Sequence, residues 1–375
     1  MKKCLSVVTV ALLVAALVSG CARQAPPAPT TPPAAGQPKA LRVVLLINGT
    51  LGDKSFFDSA QRGMELAKKE LGIEFRTIEM GLDVSKWEPT LADVSQQNWD
   101  LIIVGTWQMT DYLEKIAPRH PNNRYIIFDT AVDYSKGNLG NVYSILYKQN
   151  EGSFLAGALA AMITKSDLPL ADKSRSIIGF LGGMDIPVIN DFLVGYIEGA
   201  RYVDPNVKVA ISYVGDFGNP AKGKEMALAQ YAMGVDIGFN VAGQTGLGQL
   251  DAAKEMNRYA LGVDSDQAML FKDSDPAKAK LIPTSMLKRV DNSLLRALTL
   301  FKEGKLEFGK AESLGMKEEA VGLAENEFYT QIVPAEFRQR LAVIKQELID
   351  GKITVSTAFG MDARQLDEIR NAVRP

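Results

Sequence analysis

The sequence predicts an α/β protein of doubly wound parallel sheets. Three observations lead there. Short apolar runs alternate with amphipathic helical stretches, most runs end in Gly, Asn, Asp or Thr, and the body from Leu41 onward is long enough for two domains. The strand candidates are LRVVLLI (41–47), LIIVG (101–105), RYIIFD (124–129), SIIGFLGG (176–183), VKVAISYV (207–214), VDIGFNVAG (235–243) and ALGVD (260–264). In open parallel sheets, ligands sit beyond the carboxyl ends of the strands, where loops and helix N-termini gather.

Ahead of that body, two lysines, an apolar run through Ala16 and Leu17, and then LVSGC form a secretory-signal pattern. Its apolar core is too short to span a bilayer. Ending on Cys21, it resembles a bacterial lipoprotein signal over residues 1–20, which implies that Cys21 is lipidated and becomes the mature N-terminus. A plain signal with an incidental cysteine is the alternative. Cys4 leaves with the signal, so Cys21 remains alone and no intrachain disulfide or cysteine-based metal site is available. Residues 21–40, rich in Pro, Ala and Thr, read as an extended, solvated tether.

After LRVVLLI, the loop NGTLGD leads into a helix on which Phe57, Ala60, Met64, Ala67 and Leu71 form one buried stripe. Asp53 and Ser55 are both plausible N-caps for it. Trp107, in VGTWQMTD, follows a strand end and either lines a cleft or packs. Formal charge is −2 with both signs interspersed, which gives no basis for a nucleic-acid surface. The one histidine, His120, lies in the polar turn PRHPNN, which weakens hydrolase and histidine-metal readings.

LGVDSDQAML (261–270) places Asp264 and Asp266 where a buried strand runs out. A buried carboxylate is costly unless donors fill its lone pairs. Either acid caps a following helix, or Asp264 offers two oxygens that a vicinal diol bridges. Local sequence leaves both open. AGQTGLG brings glycines at 243, 246 and 248, but the spacing is not that of a dinucleotide fingerprint.

In order along the chain, GDKSFF (52–57), FDTAVD (128–133), NEGSFLAGALAAM (150–162), FGNPAKGKEMA (217–227), VAGQTGLG (241–248), GVDSDQ (262–267) and TSMLKRVDNS (284–293) resemble the basic membrane protein (Bmp) family. These are lipoprotein substrate-binding components of ABC transporters, whose best-known members capture purine nucleosides. The resemblance runs from Leu41 to about Thr354 and implies the type I periplasmic-binding fold. It implies an N-terminal lobe of residues 41–147 plus 284–325 and a C-terminal lobe of residues 148–283 plus 326–375, with hinge crossings near 144–150, 282–286 and 320–330. A small solute binds between the lobes, the closed form is read by a membrane permease, and the chain is lipid-anchored on the extracytoplasmic or periplasmic side. Neither catalysis, a cofactor, a metal nor nucleic acid is implied.

Residue by residue, the resemblance assigns Asp264 to the ribose hydroxyls and Lys288 to the sugar as well. Composition alone reads Lys288 as a solvated residue near the start of the amphipathic helix MLKRVDNSLLRALTLF. Asp129 matches an acid that bonds the base, against a bland strand-end role. Phe239 matches a stacking aromatic, against a core role. Gly243 keeps a family glycine, while Gln244 stands where another is usual. Asp53 and Ser55 belong to the first motif, but Phe57 replaces the family's base-contacting Asn, and Gln61 replaces a second stacking aromatic. Phe57, Phe56 or Trp107 then has to supply the missing ring. Sugar-side residues kept and base-side residues changed point to a nucleoside-like ligand, with a free nucleobase or riboflavin also open. A sensory or adhesive role on the same fold is one alternative. An extracytoplasmic nucleoside hydrolase using Asp53, Asp129 and Asp264 around Ca²⁺ is another.

Overall fold

The computed structural model describes residues 40–375. The signal segment, Cys21 and all but the last residue of the tether lie outside the described residues. The first half of the described chain runs β1 (Arg42–Ile47), α1 (Phe56–Leu71), β2 (Glu74–Glu79), α2 (Trp87–Ser95), β3 (Leu101–Gly105), α3 (Thr110–Ile116), β4 (Tyr125–Phe128), β5 (Val142–Tyr147) and α4 (Gln149–Thr164). Next come β6 (Ile177–Gly182), α5 (Pro187–Val203), β7 (Lys208–Tyr213), α6 (Pro220–Ala232), β8 (Ile237–Val241), α7 (Gly243–Met256) and β9 (Tyr259–Asp264). The remainder is α8 (Gln267–Phe271), α9 (Pro276–Ala279), β10 (Ser285–Lys288), α10 (Val290–Lys302), β11 (Lys310–Leu314), β12 (Val321–Leu323), α11 (Glu327–Ile332), α12 (Ala335–Ile349) and α13 (Ala363–Ala372).

These strands form two six-stranded sheets, ordered β11-β5-β4-β3-β1-β2 and β12-β10-β9-β8-β6-β7. Every pairing is parallel except β10 with β12. In both sheets the strand order therefore reverses at equivalent places, between β1 and β3 and between β6 and β8. Such switch points open a crevice at the carboxyl ends of the strands. The fold is the doubly wound α/β class that the alternation of apolar runs and helices predicted, and its two sheets agree with the type I periplasmic-binding architecture that the resemblance implied.

Packing explains why the chain commits to it. β1, β3 and β4 are buried along almost their whole length, as strands with helices on both faces must be. The motif NEGSFLAGALAAM lies within α4, which is buried along nearly its entire length against α5. Glycines permit that approach: a Cβ at Gly157 would stand 1.9 Å from the Tyr196 carbonyl oxygen, and one at Gly199 1.9 Å from that of Phe154. Part of this motif is thus a helix-packing device with no direct view of a ligand.

The chain passes between the two sheets three times: at Lys148 between β5 and α4, at Arg289 between β10 and α10, and through residues 315–320 between β11 and β12. The expected boundaries placed 284–325 with the first sheet. Instead, β10 and β12 pair in the second, because β10 extends the parallel ladder from β9. Helix α10 does return to the first sheet's side and packs on α1. Lys288 accordingly ends a strand, and the amphipathic helix begins two residues later.

Candidate functional site

The carboxyl ends of both sheets face one cavity of about 370 Å³, within the size range of small-molecule pockets, about 300–1,000 Å³. From the first sheet come Asn48 and Gly49 after β1, Thr106 and Trp107 after β3, and Asp129 after β4. The second contributes Met184 after β6, Phe217 after β7, Gly243 after β8, Asp264 on β9 and Lys288 on β10. Several of these strand ends share a left-handed backbone: φ is 70° at Thr106, 68° at Asp129, 60° at Asp264 and 53° at Gly243. For a residue other than glycine this costs about 1–3 kcal/mol, and it persists where the surroundings over-determine it, most often at binding sites. Here it turns the chain out of the ladder at the points where the carboxylates reach the cavity.

A charged cluster forms the floor. Lys288 Nζ donates to Asp129 Oδ1 at 2.6 Å, and both side chains are nearly buried. The same ammonium lies 4.9 Å from the Phe56 ring centroid, 5.0 Å from that of Phe192 and 5.7 Å from that of Tyr147. Ring faces and a carboxylate together replace its water shell. Burial pushes the carboxyl groups of Asp129 and Asp264 above their ordinary value, and the positive charge of Lys288 opposes the rise in both. Two carboxylates around one ammonium make a floor rich in acceptors, suited to a ligand that brings hydroxyl or amine donors.

Asp264 is also where the two sides of the cleft meet. Ser55 Oγ, at the head of α1, donates to Asp264 Oδ2 at 2.5 Å. Next to it, Ser265 Oγ donates to the Ser55 carbonyl at 2.7 Å, and Gln267 Nε2 to that of Lys54 at 3.1 Å. The question of the paired acids is answered by Asp266, whose carboxylate caps α8 by accepting from Met269 N, which leaves Asp264 to the cleft. Asp53 lines the cavity, yet its oxygens accept from the backbone N–H groups of Ser55, Phe57 and Asp58. It is the N-cap of α1 in all but name, and burial pushes its carboxyl up to about 6 against the pull of those donors.

Rings and aliphatic groups complete the walls: Phe56, Phe57 and Trp107 on one side, Phe192, Phe217 and Ile189 on the other. At the mouth, Leu82 is 61% exposed, but its Cδ1 would stand 2.8 Å from a Cβ at Gly218. The two sides thus touch at the rim as well as at the floor. A larger polar crevice, about 720 Å³, lies on the other side of Asp264 and is lined by Arg62, Asp266, Arg289 and Asp291. It lacks the aromatic walls of the first, so the smaller cavity is the candidate site.

Asp264, Lys288, Asp129, Gly243, Phe57 and Trp107 therefore share one cavity with Asp53. Ser55 stands behind Asp264 and does not line it. Phe239 is a correction: it is fully buried, with ring centroids 5.1 Å from Tyr196 and 5.9 Å from Phe180. It sits two residues inside β8, whereas contacts to the cavity come from the end of that strand onward. Gln61 is tied to Glu65 and Thr77, away from the cavity. The acids of the hydrolase reading are each engaged by a different partner, Asp53 by a helix terminus, Asp129 by Lys288 and Asp264 by Ser55, and among the described residues no group of three or more such side chains is arranged to hold a metal ion. Sequence reasoning missed Phe192, which lies in α5 at the same spacing as a core stripe, and Phe217, whose signal was an aromatic ring in the Gly-rich turn GDFGNP.

A family model described as ABC transporter substrate-binding protein, PnrA-like, matches residues 40–353. The ABC transporter nucleoside-binding protein BmpA of Lactococcus lactis is 30% identical, over 94% of this chain and 99% of its own. Basic membrane protein D of Borreliella burgdorferi is 32% identical over 85% and 89%. Among solved structures, an ABC transporter solute-binding protein from Aeropyrum pernix superposes with a TM-score of 0.77 at 27% identity, covering 88% of this chain and 98% of its own. The arabinose-binding protein AraP of Geobacillus stearothermophilus, at 13% identity and a TM-score of 0.55 over 79% and 100%, shares the fold alone. No helix among the described residues is long and apolar enough to cross a membrane.

Proposed function

The chain belongs to the Bmp family of PnrA-like ABC transporter substrate-binding proteins, and on that premise we propose that its solute is a purine nucleoside or a closely related ribosyl heteroaromatic. The observation that carries this reading is the pairing, in one cavity, of an acceptor-rich charged floor with a wall of aromatic rings. Asp264 has one oxygen engaged by Ser55, which leaves the other for a ligand hydroxyl, and Lys288 lies close enough to share the same sugar. Flat rings such as Phe56, Phe57 and Phe217 suit a flat base, since stacking needs no exact match of substituents. The Lactococcus lactis relative, a nucleoside-binding protein, supports the same class. With Phe57 in place of an amide, a free nucleobase or riboflavin is the alternative cargo of the same cleft.

Binding would favour the closed hinge, and the permease would read that form. The two lobes would meet across the three crossings described above, and lipidation at Cys21 would hold the receptor at the outer face of the membrane. Metabolic labelling with a palmitate analogue, lost in Cys21→Ala, tests the anchor. For the solute, thermal-shift screening of guanosine, inosine, adenosine, the free bases, riboflavin and simple sugars is combined with native mass spectrometry. A stabilising hit among the nucleosides, recovered unchanged in mass, is the expected result. Hits confined to sugars, or release of free base from a nucleoside, would overturn it.

A further inference from the structure

The described chain continues past the family match, and residues 354–375 lie across the second sheet's side. Asn150 Nδ2 donates to the Ser356 carbonyl at 3.1 Å, Asp191 accepts from Thr357 and Ala358, and Val209 N on β7 donates to the Val373 carbonyl at 2.7 Å. Between these anchors runs α13, opened by a capping box of Asp362 and Gln365. A surface appendage would need no such fastening.

One side chain of that helix reaches the back of the cleft. Arg370 Nη2 donates to Asp185 Oδ1 at 2.6 Å, to Asn190 Oδ1 at 2.9 Å and to the Tyr213 hydroxyl oxygen at 3.0 Å. Those three acceptors are themselves joined, Asn190 Nδ2 to Asp185 at 2.9 Å and the Tyr213 hydroxyl to Asn190 at 2.6 Å. The guanidinium also lies over the Tyr213 ring at 5.1 Å, and its side chain is 15% exposed.

What the cluster holds is the second sheet's share of the cavity. Asp185 sits between Met184 and Ile186, Asn190 follows Ile189, and Tyr213 leads into the turn that carries Phe217. The two cleft-lining segments, 184–192 and 213–218, follow the neighbouring strands β6 and β7 and already touch through the Tyr213 hydroxyl on Asn190 and through Gly215 N and Asp216 N on the Gly183 carbonyl; Arg370 adds a charge to that junction. We infer that Arg370 is a positioning residue for solute binding, a charged pin from the C-terminal helix that fixes both segments from behind without touching the ligand. Charge-assisted hydrogen bonds from this one guanidinium nitrogen set the rotation of the α5 N-terminus, and with it the direction of Ile189 and Phe192. The ligand-dependent half of this inference rests on the solute-binding reading above; the mechanical half does not.

The test uses the full chain with Arg370→Ala and, as a control, Val373→Ala, which loosens the buried tail anchor without removing the pin. Amide hydrogen exchange in segments 184–192 and 213–218 is followed without ligand, and Kd is measured for whichever of guanosine, inosine, adenosine or riboflavin binds the unaltered protein. The inference expects Arg370→Ala to speed exchange in both segments and weaken binding, each by about tenfold, as loss of hydrogen bonds to a charged group predicts. Val373→Ala lowers the melting temperature and leaves both readouts within about twofold. Unchanged exchange in Arg370→Ala, or an equal change in Val373→Ala, overturns the pin. If no compound in the set binds, the nucleoside reading fails while the exchange result still decides this one.

Discussion

Replacing Lys288 with methionine isolates the charged floor from everything else in the cleft. At 2.6 Å the attraction between Lys288 and Asp129 is about 6 kcal/mol at an effective dielectric of about 20, before desolvation is subtracted. Methionine fills most of the same space but ends one atom short of the ammonium and takes its charge away from Phe56, Phe192 and Tyr147. It leaves Asp129 and Asp264 buried near each other without their shared ammonium, with only the weaker pull of Arg62 on Asp264 remaining. Removing one member of a buried pair typically costs about 3–5 kcal/mol, because the orphaned charge stays behind. We therefore expect Lys288→Met to lose about that much stability in urea denaturation at pH 7, and Lys288→Met/Asp129→Asn to recover most of it. The penalty of the single variant should shrink on acidification, as the stranded carboxyl groups take up protons. A loss below about 1 kcal/mol, or no rescue by the second substitution, would show that water reaches the cluster and that the floor is not the dry site described here.

Three further outcomes follow from the same geometry. Asp264→Ala should weaken nucleoside binding by about 2–4 kcal/mol and Ser55→Ala by about 1 kcal/mol, read by titration calorimetry; an equal loss in the two would mean that Ser55 touches the ligand. Gly218→Val should weaken binding about tenfold by colliding with Leu82 at the mouth, and Leu82→Ala should restore it; absence of rescue would place the damage elsewhere. With Asp53 held up to about 6 in the folded chain against an ordinary 3.8, and Asp129 and Asp264 raised by burial, the folded state keeps these protons to higher pH than the unfolded state. The ligand-free protein should therefore lose stability as pH rises through that window, while nucleoside affinity, which needs ionised carboxylates, should rise. Melting temperature and Kd measured from pH 4 to 7 check the two opposite trends.

The fold was legible because apolar strands punctuated by Gly, Asn and Asp leave few other architectures, and the seven strand candidates all proved to be strands. The remaining strands escaped for physical reasons. β2 sits at a sheet edge with an alternating, half-exposed pattern, and β10 runs into an amphipathic helix with only Arg289 between them. At the site, Asp264 and Lys288 were found through motifs, but their partners were not. That Ser55 would serve Asp264 across the cleft depends on segments 209 residues apart, and that three rings would surround one ammonium depends on three further segments distant in sequence from Lys288, juxtapositions that no local pattern encodes. Phe239 was misjudged because a buried strand aromatic reads the same whether it faces a core or a ligand.

The most direct test is calorimetric titration of the whole protein with guanosine and with its 2′,3′-dideoxy analogue. If the charged floor grips the sugar, guanosine binds with one-to-one stoichiometry and the dideoxy compound at least about a hundredfold more weakly, the loss expected when buried charged acceptors are left unpaired. Equal affinity for the two compounds would contradict the account, since Asp264 and Lys288 would then have no role in holding the solute.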